Sequence, residues 1–252
     1  MRSLIINLAR SQERRMFVEN HFRQHGLAFE IVPALDGLSD PLPQDARWTY
    51  FRRTEIGCFL SHRRCWERIA DGTDQFSAVF EDDAILAPNA SKVLDAIPVC
   101  HASMDLIKLE TFLGPVQLSR RAFSLDNSHV VRRLFSFHLG AAGYVLSRRG
   151  ARIQLELMDK CLLEPVDTFL FSPQFPLFRK IAIGQVIPAI CIQSRFRDEG
   201  RFPATISYDE DIERRTSRAN RIYRELRKFG DQLAKWFDRN GRETLTVPFA
   251  EV

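Results

Sequence analysis

The sequence predicts an α/β protein built on a mixed, mainly parallel β-sheet flanked by helices. In the first half, short apolar runs such as Leu4–Ile6 and Ala78–Phe80 alternate with segments of helical periodicity. Strands that alternate with helices usually form mainly parallel sheets covered on both faces. In the second half, strands adjoin irregular stretches, which predicts that the sheet becomes mixed there.

Each further element has a local signal. Helices are predicted where a side chain able to cap an N-terminus precedes apolar residues at helical spacing. Strands are predicted where apolar or β-branched residues run without a break. Predicted helices begin at Ser11, Thr54, Pro88 and Ser147, and predicted strands cover Phe29–Val32, Asp105–Leu109, Val130–Leu134, Ala142–Leu146 and Ile181–Ile192. Pro188 divides the last run into two short strands or bends one. Residues 38–53 and 111–129 are predicted to be loops that could close over a site.

Composition indicates a folded protein of a reducing compartment. The 252 residues are 45% hydrophobic and include 20 Phe, which argues against disorder. The five cysteines are odd in number and form no CxxC pair, as is typical of a reduced cytosolic protein. Asn7 and Arg10 interrupt the apolar N-terminus, so a strand is expected there and not a signal peptide. We therefore expect a cytoplasmic location.

Positive charge is concentrated near the C-terminus. The chain has a net charge of +4, and residues 212–239 carry nine Lys/Arg against four Asp/Glu. Apolar residues recur at helical spacing in this segment, which predicts a basic amphipathic helix. We divide the chain into a domain of residues 1–208 and a helix with its tail, 209–252. The helix either packs on the domain or docks on an anionic surface such as the inner membrane. We expect no nucleic-acid partner.

Three consecutive acids follow the buried strand Ala78–Phe80. Glu81, Asp82 and Asp83 repel one another, and no basic residue stands beside them in sequence. Hard divalent cations such as Mg²⁺ and Mn²⁺ prefer carboxylate oxygens, and strand ends are where open α/β sheets bind ligands. The cluster is therefore either a metal site that holds a phosphate-bearing substrate or a solvated acidic turn.

The acidic cluster belongs to an ordered set of sequence blocks. The set resembles glycosyltransferase family 25, which contains bacterial lipooligosaccharide galactosyltransferases and, more distantly, collagen galactosyltransferases. The resemblance spans roughly residues 3 to 195, and the Gly-Cys-x-Leu-Ser-His block is its most specific part. The blocks are Ile6-Asn7-Leu8-x-Arg10-Ser11-x-x-Arg14-Arg15, Ala34-x-Asp36-Gly37, Glu55-Ile56-Gly57-Cys58-x-Leu60-Ser61-His62-x-x-x-Trp66, Phe80-Glu81-Asp82-Asp83, Ala142-Gly143-Tyr144-Val145-Leu146-Ser147-x-x-Gly150-Ala151 and Pro165-Val166-Asp167.

The resemblance implies a GT-A fold, a nucleotide-sugar donor, a divalent metal (Mn²⁺ or Mg²⁺) and an inverting reaction. By analogy with the acidic motif of such folds, Asp83 would coordinate the metal, together with Glu81. Glu81 or Asp82 would contact the donor ribose or a metal-bound water. The remaining donor-binding candidates are Asn7, Arg14, Asp36, Gly57, Ser61, His62 and Lys108. Each also has an ordinary structural interpretation, such as a surface arginine, a buried histidine or an ion-paired lysine.

Inversion requires a base that accepts the proton of the acceptor hydroxyl, and a carboxylate usually serves. The resemblance favours Asp167, which matches the Pro-Val-Asp block, over Glu164 and Asp198. Asp167 could instead cap a short helix over Thr168–Phe171. Residues 195–201 match no family block, which leaves the acceptor open.

We therefore expect a hexosyltransferase, with UDP-galactose as the favoured donor and a lipid-linked oligosaccharide of lipooligosaccharide or lipopolysaccharide as the acceptor. Two other classes remain open. A metal-dependent phosphoesterase could also use an acidic strand end, although two-metal sites usually need more ligands than these blocks supply. A noncatalytic protein that binds a sugar nucleotide or a membrane is the other.

Overall fold

A computed structural model describes residues 1–48, 51–100, 104–161, 163–197, 202 and 241–251, except the side chains of residues 46, 99 and 100. Two short 3₁₀ turns supplement the elements, Ala46–Trp48 and Ser194–Phe196. The strands are β1 (Arg2–Asn7), β2 (Phe29–Pro33), β3 (Phe76–Glu81), β4 (Ala84–Leu86), β5 (Leu106–Lys108), β6 (Glu110–Thr111), β7 (Pro115–Ser124), β8 (Val130–Leu134), β9 (Gly143–Ser147), β10 (Ile183–Ile187), β11 (Cys191–Gln193) and β12 (Arg242–Thr246). The helices are α1 (Gln12–Gln24), α2 (Arg53–Asp71), α3 (Ala90–Cys100), α4 (Arg148–Lys160), α5 (Val166–Phe171) and α6 (Leu177–Lys180).

The predicted mixed sheet is confirmed. Nine strands are ordered β12-β7-β8-β10-β5-β9-β3-β1-β2, and β4, β11 and β6 form a small second sheet. Strands β1, β2 and β3 are parallel neighbours, as are β5 and β10. The antiparallel strand β9 lies between β3 and β5. Six of the nine strands run in one direction, and β8, β9 and β12 run in the other.

Helices cover both faces of the sheet, as the alternating pattern predicts. Successive strand side chains point to opposite faces, and in β1 Leu4 and Ile6 join one hydrophobic cluster while Ile5 joins the other. The first cluster includes the apolar stripe of α2, where Phe59 packs edge-to-face against Trp66. The second receives the apolar faces of α1 and α3. Each layer therefore buries one side of the same strands.

The structure corrects the loop predicted over residues 111–129. Residues 115–124 form β7, which pairs with β8 on one side and β12 on the other. Val116 and Leu118 are buried, while Gln117 and Ser119 are half-buried, so the alternation of a strand is present in the sequence. The polar run Ser119-Arg120-Arg121 follows directly, so the apolar alternation was too short to predict a strand. Strand β4, directly after the acids, was likewise not predicted.

The last residues belong to the large sheet and not to a separate tail. Strand β12 pairs along its whole length with β7, and Thr111 Oγ1 donates to the carbonyl of Val247 at 2.7 Å. This corrects the assignment of residues 242–251 to a tail that begins at 209. The predicted basic helix at residues 212–239 lies outside the described residues. In the described part of the chain, no helix is long and apolar enough to cross a membrane.

Candidate active site

The predicted site residues converge where three parallel strands end. Asn7 at the end of β1 lies beside Pro33 of β2, and Ile6 lies beside Glu81 of β3. A cleft of about 270 Å³ opens at this edge. Eight of the predicted residues line it, namely Arg14, Asp36, Ser61, His62, Glu81, Asp82, Asp83 and Asp167. Asn7, Gly57 and Lys108 do not line it.

Asp82 is held by two residues that were predicted to contact the donor. Asn7 Nδ2 donates to Asp82 Oδ2 at 2.8 Å, and Arg14 Nη1 donates to Asp82 Oδ1 at 3.0 Å. Burial raises the pKa of Asp82, and the charge of Arg14 offsets only part of that effect. Arg14 also lies over the ring of Phe202 at 5.4 Å. Asn7 therefore supports the acidic segment in this structure and does not line the cleft, and its predicted contact with a nucleotide stays a prediction.

Glu81 ends a chain of hydrogen bonds that crosses the core. Trp66 Nε1 donates to the hydroxyl of Tyr144 at 2.8 Å, and this hydroxyl lies 2.9 Å from His62 Nδ1. His62 Nε2 lies 3.2 Å from Glu81 Oε1. Burial alone would raise the pKa of Glu81, but the bond to His62 and nearby positive charges outweigh it and lower this pKa. An ionised Glu81 favours the imidazole tautomer with its proton on Nε2, in which Tyr144 donates to Nδ1.

Asp83 has the environment expected of a ligand for a cation. Its side chain is buried, and Oδ1 has no hydrogen-bond partner among the described residues. Burial, reinforced by the negative charge of Glu81, raises the pKa of Asp83 to about 8. A buried carboxylate oxygen without a partner is costly unless a proton or a cation meets it. Asp83 and Glu81 therefore fit a hard divalent cation such as Mn²⁺ or Mg²⁺.

The Gly-Cys-x-Leu-Ser-His block joins α2 to the turn that carries Asp36. A Cβ on Gly57 would lie 2.6 Å from the carbonyl oxygen of Leu35, so only glycine allows this approach. Ser61 Oγ accepts from the amide of Leu35 at 2.9 Å and donates to the carbonyl of Gly57 at 2.6 Å. Gly57 and Ser61 thus hold the turn in place, and Asp36 faces the cleft in an ion pair with Arg10 at 2.7 Å.

Asp167 lines the same cleft as the acids, from the first turn of α5. Its Oδ2 accepts from the amide of Gly140 at 3.2 Å, and its Oδ1 accepts from the amide of Thr168 at 2.8 Å. Pro165 occupies the N-cap position, so the alternative interpretation of Asp167 as the cap is wrong. Of its two rivals, Glu164 is exposed and does not line the cleft, and Asp198 lies outside the described residues.

Lys108 is buried in an ion pair and does not line the cleft, which favours the structural alternative over its predicted donor contact. Its ammonium is fully buried, 2.9 Å from Glu110 Oε2, and it donates to the carbonyl of Gly140. Glu110 Oε2 also accepts from the amide of Ala142 at 2.9 Å. The loop between β8 and β9 therefore lies over this ion pair, and the amide of Gly140 in the same loop binds Asp167. Lys108 and Glu110 therefore hold the β8–β9 loop, which in turn holds Asp167 in the cleft.

His138 gives the protein a predictable acid sensitivity. It is buried beside Lys108, and burial followed by the lysine's charge lowers its pKa well below 6.5. Below pH 6.5 His138 binds a proton in the unfolded chain but stays neutral in the folded protein. The free energy of unfolding therefore falls as pH decreases. We expect a slope of up to ~1.4 kcal/mol per pH unit from this group. In His138→Asn, whose amide can replace the Nδ1 donor to Leu139, urea unfolding should show a shallower acid slope; an unchanged slope would contradict the assignment.

The cleft also contains residues to which the sequence interpretation gave no role. Three of them, Arg10, Glu55 and Cys58, lie within the sequence blocks that resemble the family. Their position beside assigned residues was the signal that could have identified them. Gln193, the last residue of β11, and Arg195, in the 3₁₀ turn that follows, also line the cleft, and Gln193 Nε2 lies 3.4 Å from Glu81 Oε2. Arg195 belongs to residues 195–201, which match no family block, and nothing in the sequence pairs it with β3.

Comparison with known proteins identifies the family. The family model described as Glycosyltransferase family 25 (LPS biosynthesis protein) matches residues 1–170, which is more than half of the chain. The chain belongs to glycosyltransferase family 25. All the blocks assigned to the cleft, from Asn7 to Asp167, lie within the matched residues, whereas Gln193 and Arg195 lie beyond them.

Relatives of this family 25 protein extend the similarity over nearly its whole length. The lacto-N-neotetraose biosynthesis glycosyltransferase LgtB of Neisseria meningitidis serogroup B is 29% identical over 99% of this chain and 100% of its own. The lipooligosaccharide biosynthesis protein lex-1 of Haemophilus influenzae is 28% identical over 64% of this chain and 56% of its own. A solved glycosyltransferase involved in the glycosylation of the major capsid of PBCV-1 is 13% identical over 69% of this chain and 75% of its own, with a TM-score of 0.39.

Proposed function

We propose that this protein transfers a hexose, with galactose favoured, from a UDP-sugar to a hydroxyl of a lipid-linked oligosaccharide in lipooligosaccharide synthesis, with inversion and on a GT-A fold. The observation that carries the proposal is the convergence of Glu81, Asp82, Asp83 and Asp167 in one cleft at the ends of parallel strands. Family membership and relatives named for lacto-N-neotetraose and lipooligosaccharide synthesis support the substrate class.

Asp83 and Glu81 would hold a Mn²⁺ or Mg²⁺ ion. Among the described residues, Asp83 Oδ1 has no hydrogen-bond partner and the second oxygen of Glu81 makes one long contact, with Gln193. Both atoms supply the oxygen ligands that these ions prefer. When bound, the ion neutralises negative charge on the departing diphosphate. Asp82 remains with Asn7 and Arg14 and keeps the acidic segment in position.

Asp167 is the base of the proposed reaction. Each of its two oxygens accepts a hydrogen bond from one backbone amide, and these two bonds fix the carboxylate. Each oxygen keeps a lone pair that can accept a proton in the cleft. A carboxylate placed on the other side of the bound sugar can accept the acceptor's proton as the new bond forms. The acceptor hydroxyl would therefore approach between α5 and the end of β3.

Arg195 is the residue we expect to bind the donor diphosphate. It is exposed at the cleft, and among the described residues its guanidinium makes no hydrogen bond or ion pair, only a contact with the ring of Phe196. Charge-assisted bonds of arginine to phosphate are strong. We expect Arg195→Gln to raise the KM for the UDP-sugar by about tenfold, with a smaller effect on kcat.

Arg197→Gln is the matched control for this prediction. Arg197 is also exposed and stacks on an aromatic ring, that of Phe249, but it lies 3.5 Å from Glu251 and does not line the cleft. Its KM should stay close to that of the native protein. Equal KM values for the two variants would exclude a specific donor contact by Arg195.

Attachment to an anionic membrane through residues 212–239 remains a prediction with its own test. Truncation at residue 212 would also delete β12 from the sheet, so charge removal is the better experiment. Replacing Arg214, Arg215, Arg218 and Arg221 by glutamine should weaken binding to anionic vesicles by about 1 kcal/mol per charge. Sedimentation with anionic and with neutral vesicles measures this. Binding that is unaffected by the four replacements would contradict the prediction.

The proposed function is tested by UDP release from a panel of UDP-hexoses, with Mn²⁺ or with EDTA, in the presence of glycoside acceptors. We expect UDP release to require the metal and to occur with one UDP-hexose of the panel. Asp83→Asn should abolish this release. Phosphate release without an acceptor would indicate a phosphoesterase instead. Binding of UDP-sugars that survives in Asp83→Asn, with turnover in neither form, would indicate a noncatalytic binding protein.

A further inference from the structure

The cleft contains a second group of potential metal ligands with a different chemistry. Cys58 and His62 are one turn apart on α2, and Glu81 ends β3 beside them. One ligand atom from each residue lies within 4.8 Å of the other two. Zinc bonds of about 2.0–2.3 Å place tetrahedral ligands about 3.3–3.8 Å apart, so small side-chain rotations close the site. Three protein ligands leave a fourth position for water.

We propose that Cys58, His62 and Glu81 form a site for a soft divalent cation of the zinc class, separate in chemistry from the oxygen ligands of Asp83. Thiolate and imidazole select zinc-like ions, whereas carboxylates alone suit Mn²⁺ and Mg²⁺. The cation displaces the proton of the Cys58 thiol, since a coordinating thiol is deprotonated. The two sites share Glu81, so a zinc-class ion competes for a ligand of the hard cation.

The hydrogen bonds behind His62 are an independent observation that supports this site. Histidines that bind metals usually fix the ring through the nitrogen that does not bind. Here His62 Nδ1 lies 2.9 Å from the hydroxyl of Tyr144, which accepts the indole N–H of Trp66. A hydroxyl has one proton and two lone pairs, so Tyr144 can donate to Nδ1 or accept from it. In the second case Nε2 presents its lone pair to a cation between His62 and Glu81.

If the proposed transferase activity holds, a zinc-class ion should inhibit it. Occupation of the site would engage Glu81, break its 3.2 Å contact with His62 and place a cation where the donor is expected to bind. That consequence rests on the proposed function, but the metal site does not. The test below therefore uses a spectroscopic signal that requires no turnover.

Cobalt titration of the full-length, metal-free protein tests the site directly. Co²⁺ replaces zinc in such sites, and a bound thiolate gives a charge-transfer absorption band. We expect one equivalent of Co²⁺ to produce this band and one equivalent of Zn²⁺ to remove it. Mn²⁺ should reduce the band only in large excess, because it shares Glu81 with the cobalt site but binds the thiolate poorly. Absence of the band in the native protein would overturn the proposal whatever the UDP-release assay shows.

Three variants locate the signal. Cys58→Ser should lose the band, whereas Cys161→Ser should keep it, because Cys161 is also half-buried but lies at the end of α4, away from the cleft. Tyr144→Phe should weaken Co²⁺ binding by roughly 10–100-fold, as expected for loss of a residue that orients a ligand. A band that survives Cys58→Ser and disappears in Cys161→Ser would overturn the assignment. Circular dichroism checks that each variant is folded.

Discussion

Replacement of Asp167 by asparagine is expected to lower kcat by about 10²–10⁴-fold, the usual contribution of a base that removes a proton in the transition state. Asparagine keeps an oxygen that can accept the amide of Gly140, now 3.2 Å from Oδ2, so the loop and α5 should stay in position. The side chain loses its ability to take the acceptor's proton and one of its two backbone hydrogen bonds, that from the amide of Thr168 at 2.8 Å. Steady-state kinetics with saturating donor and acceptor measure the loss, and the KM for the donor should change little.

Glu164→Gln is the matched control for Asp167. It removes a neighbouring carboxylate that is exposed and outside the cleft, so its kcat should stay near the native value. A kcat for Asp167→Asn within threefold of native would show that the base lies elsewhere, and Asp198 would be the next residue to replace. Loss of activity in both variants would indicate that α5 had shifted.

Replacement of Lys108 by methionine is expected to reduce the free energy of unfolding by about 3–5 kcal/mol, because it leaves Glu110 buried without its partner. Both side chains are fully buried, and their charged atoms are 2.9 Å apart. Glu110 Oε1 has no partner among the described residues, so little else offsets the loss. The ammonium also lies 4.1 Å from the centre of the Phe171 ring, a contact that methionine keeps only as packing. Urea unfolding at pH 7 measures the change.

The double variant Lys108→Met with Glu110→Gln separates the charge from the packing. Glutamine is neutral and can still accept the amide of Ala142, which Glu110 now accepts at 2.9 Å. We expect the double variant to recover more than half of the lost stability. If Lys108→Met costs less than 1 kcal/mol, or if the double variant is no more stable than the single one, the pair is not the coupled unit described above.

The sequence alone determined the main elements of the fold. Apolar runs and helical spacing placed β1, β3, α2 and α4, and the Ser147 cap was confirmed by its bond with the amide of Gly150 at 2.9 Å. These elements depend on side chains that are close in sequence. The order of strand and helix also predicted that Glu81 and Asp83 would stand at a strand end facing a cleft.

Only the tertiary structure decided which polar groups meet. Asn7 and Arg14 were expected to contact a nucleotide, yet both bind Asp82, 75 and 68 residues away. Lys108 follows an apolar strand as a phosphate ligand would, but Glu110 and the loop at Gly140 enclose it. The sequence shows which side chains carry charge, but not which partner each of them pairs with in the folded protein.

The physical reason is that a local pattern fixes a side chain's face and not its neighbours. Period-2 alternation predicts that Glu81 points away from Phe80, but it says nothing about His62 on another element. That meeting depends on how α2 packs over β3, which is set by the shape of Gly57 against Leu35 and by the core around Trp66. The sequence by itself determined that three acids follow a buried strand. The packing of α2, the β8–β9 loop and α5 decided how they form one site.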